Sequence, residues 1–285
     1  MISPYRVVFL LDRAADRSPE RIANWFGRRV REPGIIDRGG DILQLEGEIQ
    51  DLEAGTRRSV SWFVEPFGES VAAPDLADAI KQTWDWPEAG ATCLRHAGAY
   101  AVEIADSAWL GKRGLLGAAH AIVHGLVESL QGETIPRVDP VAWDDPEHRP
   151  GLLALHFVSS ERVIEPNFYR SLVEEQGDLL HAGSVNVRLH QVEGGRPNET
   201  VMDTMGMEPL GLPDLQVHFI GLDPNEVANI LYNYCHYLLR EGDVIKDGQA
   251  IRGIDGETWP VRRETSLIRP ERTVLDLVPG SARAI

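Results

Sequence analysis

A short apolar run, a turn and an amphipathic helix recur in this chain near residues 5, 97, 152 and 215. Apolar runs of that length need a sheet, and a helical stripe needs a surface to cover. The chain is therefore expected to lay helices on sheets. The repeat has no fixed period, which excludes a solenoid. The expected class is α+β, with antiparallel or mixed sheets and helices packed on one face. Two ferredoxin-like halves are the specific topology expected.

The clearest helix starts at Asp223, a residue suited to the N-cap, with Pro224 in the first position. Val227, Ile230, Leu231, Tyr234, Cys235, Leu238 and Leu239 follow at helical spacing, and Gly242 ends the run. Other helices are expected after Ser18, with Ile22, Ala23, Phe26 and Val30 in register, and at 75–84, 115–130 and 167–176. Strands are expected at 5–11, 42–45, 59–64, 97–104, 152–160, 184–192, 200–204, 215–220, 250–253, 258–263 and 273–278. The proline-rich, acidic stretch Pro136–Gly151 is the expected boundary. It separates an N-terminal α+β half, 1–140, from a C-terminal α+β half, 151–285.

The formal net charge is −16 over 285 residues. Such a surface repels phosphates, so neither nucleic acid nor an anionic membrane is an expected partner. A basic protein would be attracted. Cys93 and Cys235 are the only cysteines, too few for a disulfide framework. The apolar run Val7–Leu11 is too short for a signal peptide, and a cytoplasmic location is expected.

No catalytic set appears at motif spacing. The glycines 111, 114 and 117 match neither phosphate-loop pattern, and no nucleophile elbow is present. The strongest metal candidate is His120 with His124, four residues apart on the 115–130 helix, with Glu128 one turn further. The residue after His120 is Ala121, so the general base of the zinc-protease motif is missing. A helical wheel puts His120 at the flank of the apolar face, His124 further round and Glu128 nearly opposite. Boundary histidines with no cofactor are the plainer reading, and a divalent metal is the alternative. Gly114, Gly117, Ala121 and Gly125 form a small-residue face for close packing. The acid pair Glu174–Glu175 reads as solvated.

Trp84, Trp86, Trp109 and Trp143 fall in or beside expected loops. Loop aromatics anchor protein partners, although they also pin loops to cores.

The stretch from Thr204 to Val278 resembles a bacterial family known as domain of unknown function 4261. The resemblance rests on Thr204, Gly206, Gly211, the strand 215–219, Asn233, Gly242, Asp247 and Gly248. A weaker likeness covers Trp86, Pro87, Glu88, Ala89 and His96. The resemblance implies a bacterial, stand-alone protein and supplies no catalytic residues. Relatives near interbacterial toxin systems suggest an immunity or accessory role. The expectation is thus a non-catalytic, protein-binding factor whose partner is basic. The alternative is a metal-dependent hydrolase or small-molecule-binding enzyme using His120 and His124.

Overall fold

The structure, a computed structural model, describes residues 5–26, 29–50, 55–67, 73–104, 110–131 and 150–280. They form two compact units, one ending at Ser184 and the other starting at Val185.

The first unit is built on a seven-stranded sheet. Its strands are β1 (Tyr5–Leu11), β2 (Arg31–Gly39), β3 (Ile42–Gln50), β4 (Arg57–Phe67), β5 (Gly98–Ile104), β6 (Leu152–Phe157) and β7 (Arg162–Ile164). Their order is β2-β3-β4-β5-β1-β6-β7, and every neighbouring pair is antiparallel. The helices are α1 (Pro19–Trp25), α2 (Ala73–Lys81), α3 (Ala89–Cys93), α4 (Gly111–Leu130) and α5 (Pro166–Ser171). A π-helical turn, Leu172–Gln176, continues α5.

Strand alternation sorts this sheet into two faces. Trp62, Ile104 and Tyr5 lie opposite one another on the inner face, which α1 and α4 cover through contacts such as Phe26 on Trp62. Val8, Leu10, Ala99, Ala101, Ala154 and Val163 lie on the outer face. There they pack under Leu76 and Ala79 of α2 and Ala89 and Cys93 of α3. Among the described residues that cover reaches β4 only at Phe67. Over the rest of β3 and β4 the described residues leave the outer face uncovered, with Glu46, Glu48 and Ser59 exposed.

The compact units part at Ser184/Val185, whereas the expected boundary is Pro136–Gly151. The reason is pairing: β6 lies antiparallel to β1, with Val7 opposite Phe157, so it completes the first sheet. Prolines mark where a chain leaves regular structure, which is not always where a sheet ends. Most of the proline-rich stretch lies outside the described residues.

The second unit is a six-stranded sheet of β8 (Asn186–Gln191), β9 (Glu199–Met205), β10 (Asp214–Ile220), β11 (Ala250–Arg252), β12 (Thr258–Thr265) and β13 (Thr273–Leu277). Its order is β11-β12-β13-β10-β9-β8, and the pair β10–β13 is parallel. The helix α6 (Pro224–Glu241) buries Val227, Leu231, Cys235 and Leu238 of the expected stripe and leaves Ile230, Tyr234 and Leu239 half-buried at its sides. Full burial of each leucine contributes about 1.5–3 kcal/mol. The Asp223 carboxylate accepts from the Asn225 N–H and caps the helix. The fold is α+β with antiparallel and mixed sheets, as expected. No described helix is long and apolar enough to cross a membrane.

Candidate functional site

Residues 120, 124 and 128 of α4 are each four apart, so successive side chains advance by only about 40° around the helix. They form one stripe, and all three are buried. This departs from the expected margin of the core. Neighbouring elements cover α4 beyond its apolar face. At Gly125 the Phe26 backbone comes within 3.4 Å of where a Cβ would sit, so part of the small-residue face admits the end of α1.

His120 lies in a neutral hydrogen-bond cluster. Its Nε2 is 2.7 Å from Ser184 Oγ and 3.2 Å from Tyr5 Oη, and its Nδ1 is 3.1 Å from Tyr169 Oη. Tyr5 and Ser184 also hydrogen-bond each other. The imidazole stacks on Tyr169 and Phe157, with centroids 5.8 and 5.9 Å away. Gly183, at φ 113°, brings Ser184 to this position, and a Cβ there would strike the Phe157 ring. Burial, reinforced by His124, pushes the His120 pKa down to about 3. The Ser184–His120 contact has the form of a nucleophile and its base. A base held that low takes a serine proton poorly near neutrality, and Ser184 itself is buried.

His124 belongs to a different, charged cluster. Its Nε2 is 3.0 Å from Glu174 Oε1 and its Nδ1 is 3.7 Å from Glu128 Oε2, yet neither nitrogen makes a hydrogen bond. Arg29 holds Glu128 in a fork at 2.9 and 3.2 Å and reaches to 3.8 Å from Glu174. Arg170 lies 3.4 Å from Glu174. Burial first, then Arg29, lowers the His124 pKa.

The metal candidates therefore separate. His120 is engaged by hydroxyls, whereas His124 and Glu128 meet Glu174 from the turn after α5. One ligand atom from each of these three lies within 4.8 Å of the other two. Glu174 was expected to be solvated. The signal for its role is Arg170, four residues before it on the same helical path.

The second unit holds a cluster that the sequence reading missed. Arg188, Asp203, Gln216 and Asp276 sit opposite one another across β8, β9, β10 and β13, on the sheet face away from α6. Asp203 accepts from Arg188 at 2.7 Å and from Arg272 at 2.6 Å. Arg272 also donates to Asp214 at 3.1 Å, and Asp214 accepts from Thr204 at 3.0 Å. Burial alone would raise the Asp203 pKa. The His190 imidazole 3.6 Å away, the hydrogen bonds from Arg188 and the charges of Arg188 and Arg272 outweigh it, holding Asp203 at about 2. At Asp214 burial wins over Arg272 and lifts the carboxyl to about 6.

Of the tryptophans, Trp84 is 63% exposed, while Trp86 packs half-buried against the α2–α3 cluster. Trp109 and Trp143 lie outside the described residues. Cys93 and Cys235 are both buried. Burial raises both thiols, Cys93 to about 11, so neither is a ready nucleophile.

No curated protein and no solved structure is similar to the chain at a significant level. A family model described as Domain of unknown function (DUF4261) matches residues 203–278. That span runs from Asp203 to the end of β13 and includes α6, Asp214 and Arg272. Over those residues the chain is thus similar to the DUF4261 family.

Proposed function

We propose that this chain is a non-catalytic protein-binding factor that receives a basic partner on the open face of its first sheet. The role best suited to it is that of an immunity or accessory protein of a bacterial toxin or secretion system, acting in the cytoplasm. One observation carries the reading. Among the described residues, helices cover the outer face over β5, β1 and β6, reach β4 only at Phe67, and leave the rest of β3 and β4 uncovered. That part presents Glu46 and Glu48 beside a recess of about 330 Å³ that Arg31, Glu32, Ile35, Ile36 and Ser59 also line. Of these, Ile36 is exposed. Apolar side chains among acids suit a basic partner with an apolar contact surface. The net charge of −16 adds long-range attraction to such a partner.

The edge strand β2 is a poor template for strand addition. It contains Pro33 and two register shifts, devices that block edge pairing. Recognition is accordingly through the face and not the edge. The enzymatic alternative would draw on the His124 cluster, whose carboxylates Arg29 and Arg170 already hold.

The test is photo-crosslinking in cells of the source organism, with a photoreactive residue at Ser59 and a control at Asp223 on the second unit. A basic protein captured at Ser59 and absent from the control is the expected result. No Ser59-specific adduct, or capture of acidic proteins alone, would contradict the reading.

A further inference from the structure

We propose that His124, Glu128 and Glu174 form a site for one zinc-class divalent cation, with Arg29 as its gate. The inference is independent of partner binding, and either can fail without the other.

Two observations point to a ligand. Three potential donors converge, with one atom of each within 4.8 Å of the other two. The second observation is the state of His124. Its side chain is 2% exposed, it faces both carboxylates, and neither ring nitrogen has a hydrogen bond. A buried imidazole left in that state has given up water without gaining a partner, which is unfavourable. A cation on Nε2 would supply the missing partner.

The spacing suits a small ion. Zinc binds histidine nitrogen and carboxylate oxygen at about 2.0–2.2 Å, so its tetrahedral ligands stand roughly 3.3–3.6 Å from one another. His124 Nε2 and Glu174 Oε1, 3.0 Å apart, need to separate only slightly to admit it. Glu128, now 3.7 Å from the other ring nitrogen and forked by Arg29, has to leave Arg29 to join them. Three protein ligands leave a fourth position for water. One imidazole with two carboxylates favours zinc and similar ions, whereas magnesium prefers an all-oxygen set.

Arg29 competes for the same carboxylates. It forks onto Glu128 and reaches Glu174. Its side chain is 44% exposed, so it can swing into water while the cation replaces it. A purely structural ion-pair cluster and a gated cation site therefore differ in what loss of Arg29 does.

The experiment uses the full chain without a histidine tag, stripped with chelator and titrated calorimetrically with Zn²⁺ or Mg²⁺. Wild type is expected to take up one Zn²⁺, with no saturable Mg²⁺ uptake over the same range. Affinity should be at least tenfold weaker in His124→Ala and in Glu174→Gln. It should be at least tenfold tighter in Arg29→Gln, where the competitor is gone. Circular dichroism checks that each variant folds; Glu174, at the exposed margin, decides the matter if His124→Ala does not. Absence of saturable Zn²⁺ uptake in both wild type and Arg29→Gln would overturn the proposal, as would uptake unchanged in Glu174→Gln.

Discussion

His120 in the first unit and Asp203 in the second are buried by opposite means. Around His120 the first unit suppresses charge: the imidazole stays neutral, and two tyrosines and a serine satisfy it. Around Asp203 the second unit keeps its charges and pairs them through Arg188 and Arg272. A neutral cluster loses one hydrogen bond at a time. A paired cluster fails when either sign is removed, because the survivor is left buried and uncompensated.

The largest effect that tests this contrast is expected from Arg272→Met. It leaves both Asp203 and Asp214 without their shared guanidinium and should cost about 3–5 kcal/mol. Hydrogen exchange followed by mass spectrometry would place the loss in residues 185–280. A loss under 1 kcal/mol would show that the cluster is not held by its charges.

His120→Phe should cost less, about 1–3 kcal/mol near neutrality. The ring stacking survives, but the hydroxyls of Tyr5, Tyr169 and Ser184 lose a partner. The pH dependence sharpens the comparison. The folded His120 pKa of about 3 lies below its ordinary 6.5. The unfolded chain therefore binds a proton between these values that the folded chain refuses. Stability is full above pH 6.5 and falls as pH drops from 6.5 toward 3. His124, also lowered, acts in the same direction. Asp203 behaves as a depressed carboxylate, so its contribution is present above 3.8 and lost only toward pH 2. Asp214 is raised to about 6, so its protonation favours the folded second unit as pH falls from 6 to 3.8. From pH 6.5 to 4 the first unit should open more readily in hydrogen exchange, and the second should not. His120→Phe should flatten the slope of the first unit. Equal slopes in both units would break the contrast.

Legibility in the sequence followed the same division between regular and exceptional chemistry. The helix α6 was plain because Asp223, Pro224, the apolar stripe and Gly242 all agree. Strand β2 was not, because Pro33, Gly34 and its register shifts destroy alternation. Helical spacing was extended instead to Val30, whereas α1 ends at Trp25. A helical wheel locates apolar side chains, and it placed His120 and His124 at the margin by that measure. It has no way to register that Tyr5, Tyr169 and Ser184 supply hydroxyls from distant parts of the chain. The Arg188–Asp203–Arg272–Asp214 cluster joins residues up to 69 positions apart, so only strand register brings it together. The acidic character of the open face was visible as net charge, but which glutamates face outward depends on strand pairing.

The smallest effect on stability is expected at that face. Glu46→Lys with Glu48→Lys should change folding free energy by only about 0.5 kcal/mol or less, as exposed substitutions do. Their effect on binding should be much larger, and it is the most direct test of the account. The quantity to measure is the association rate of the purified chain with its Ser59-crosslinked partner, followed by stopped-flow across a salt series. The account predicts a wild-type rate that falls steeply with salt, and a double variant at least tenfold slower at low salt. A rate that is insensitive to salt and equal in the double variant would contradict it.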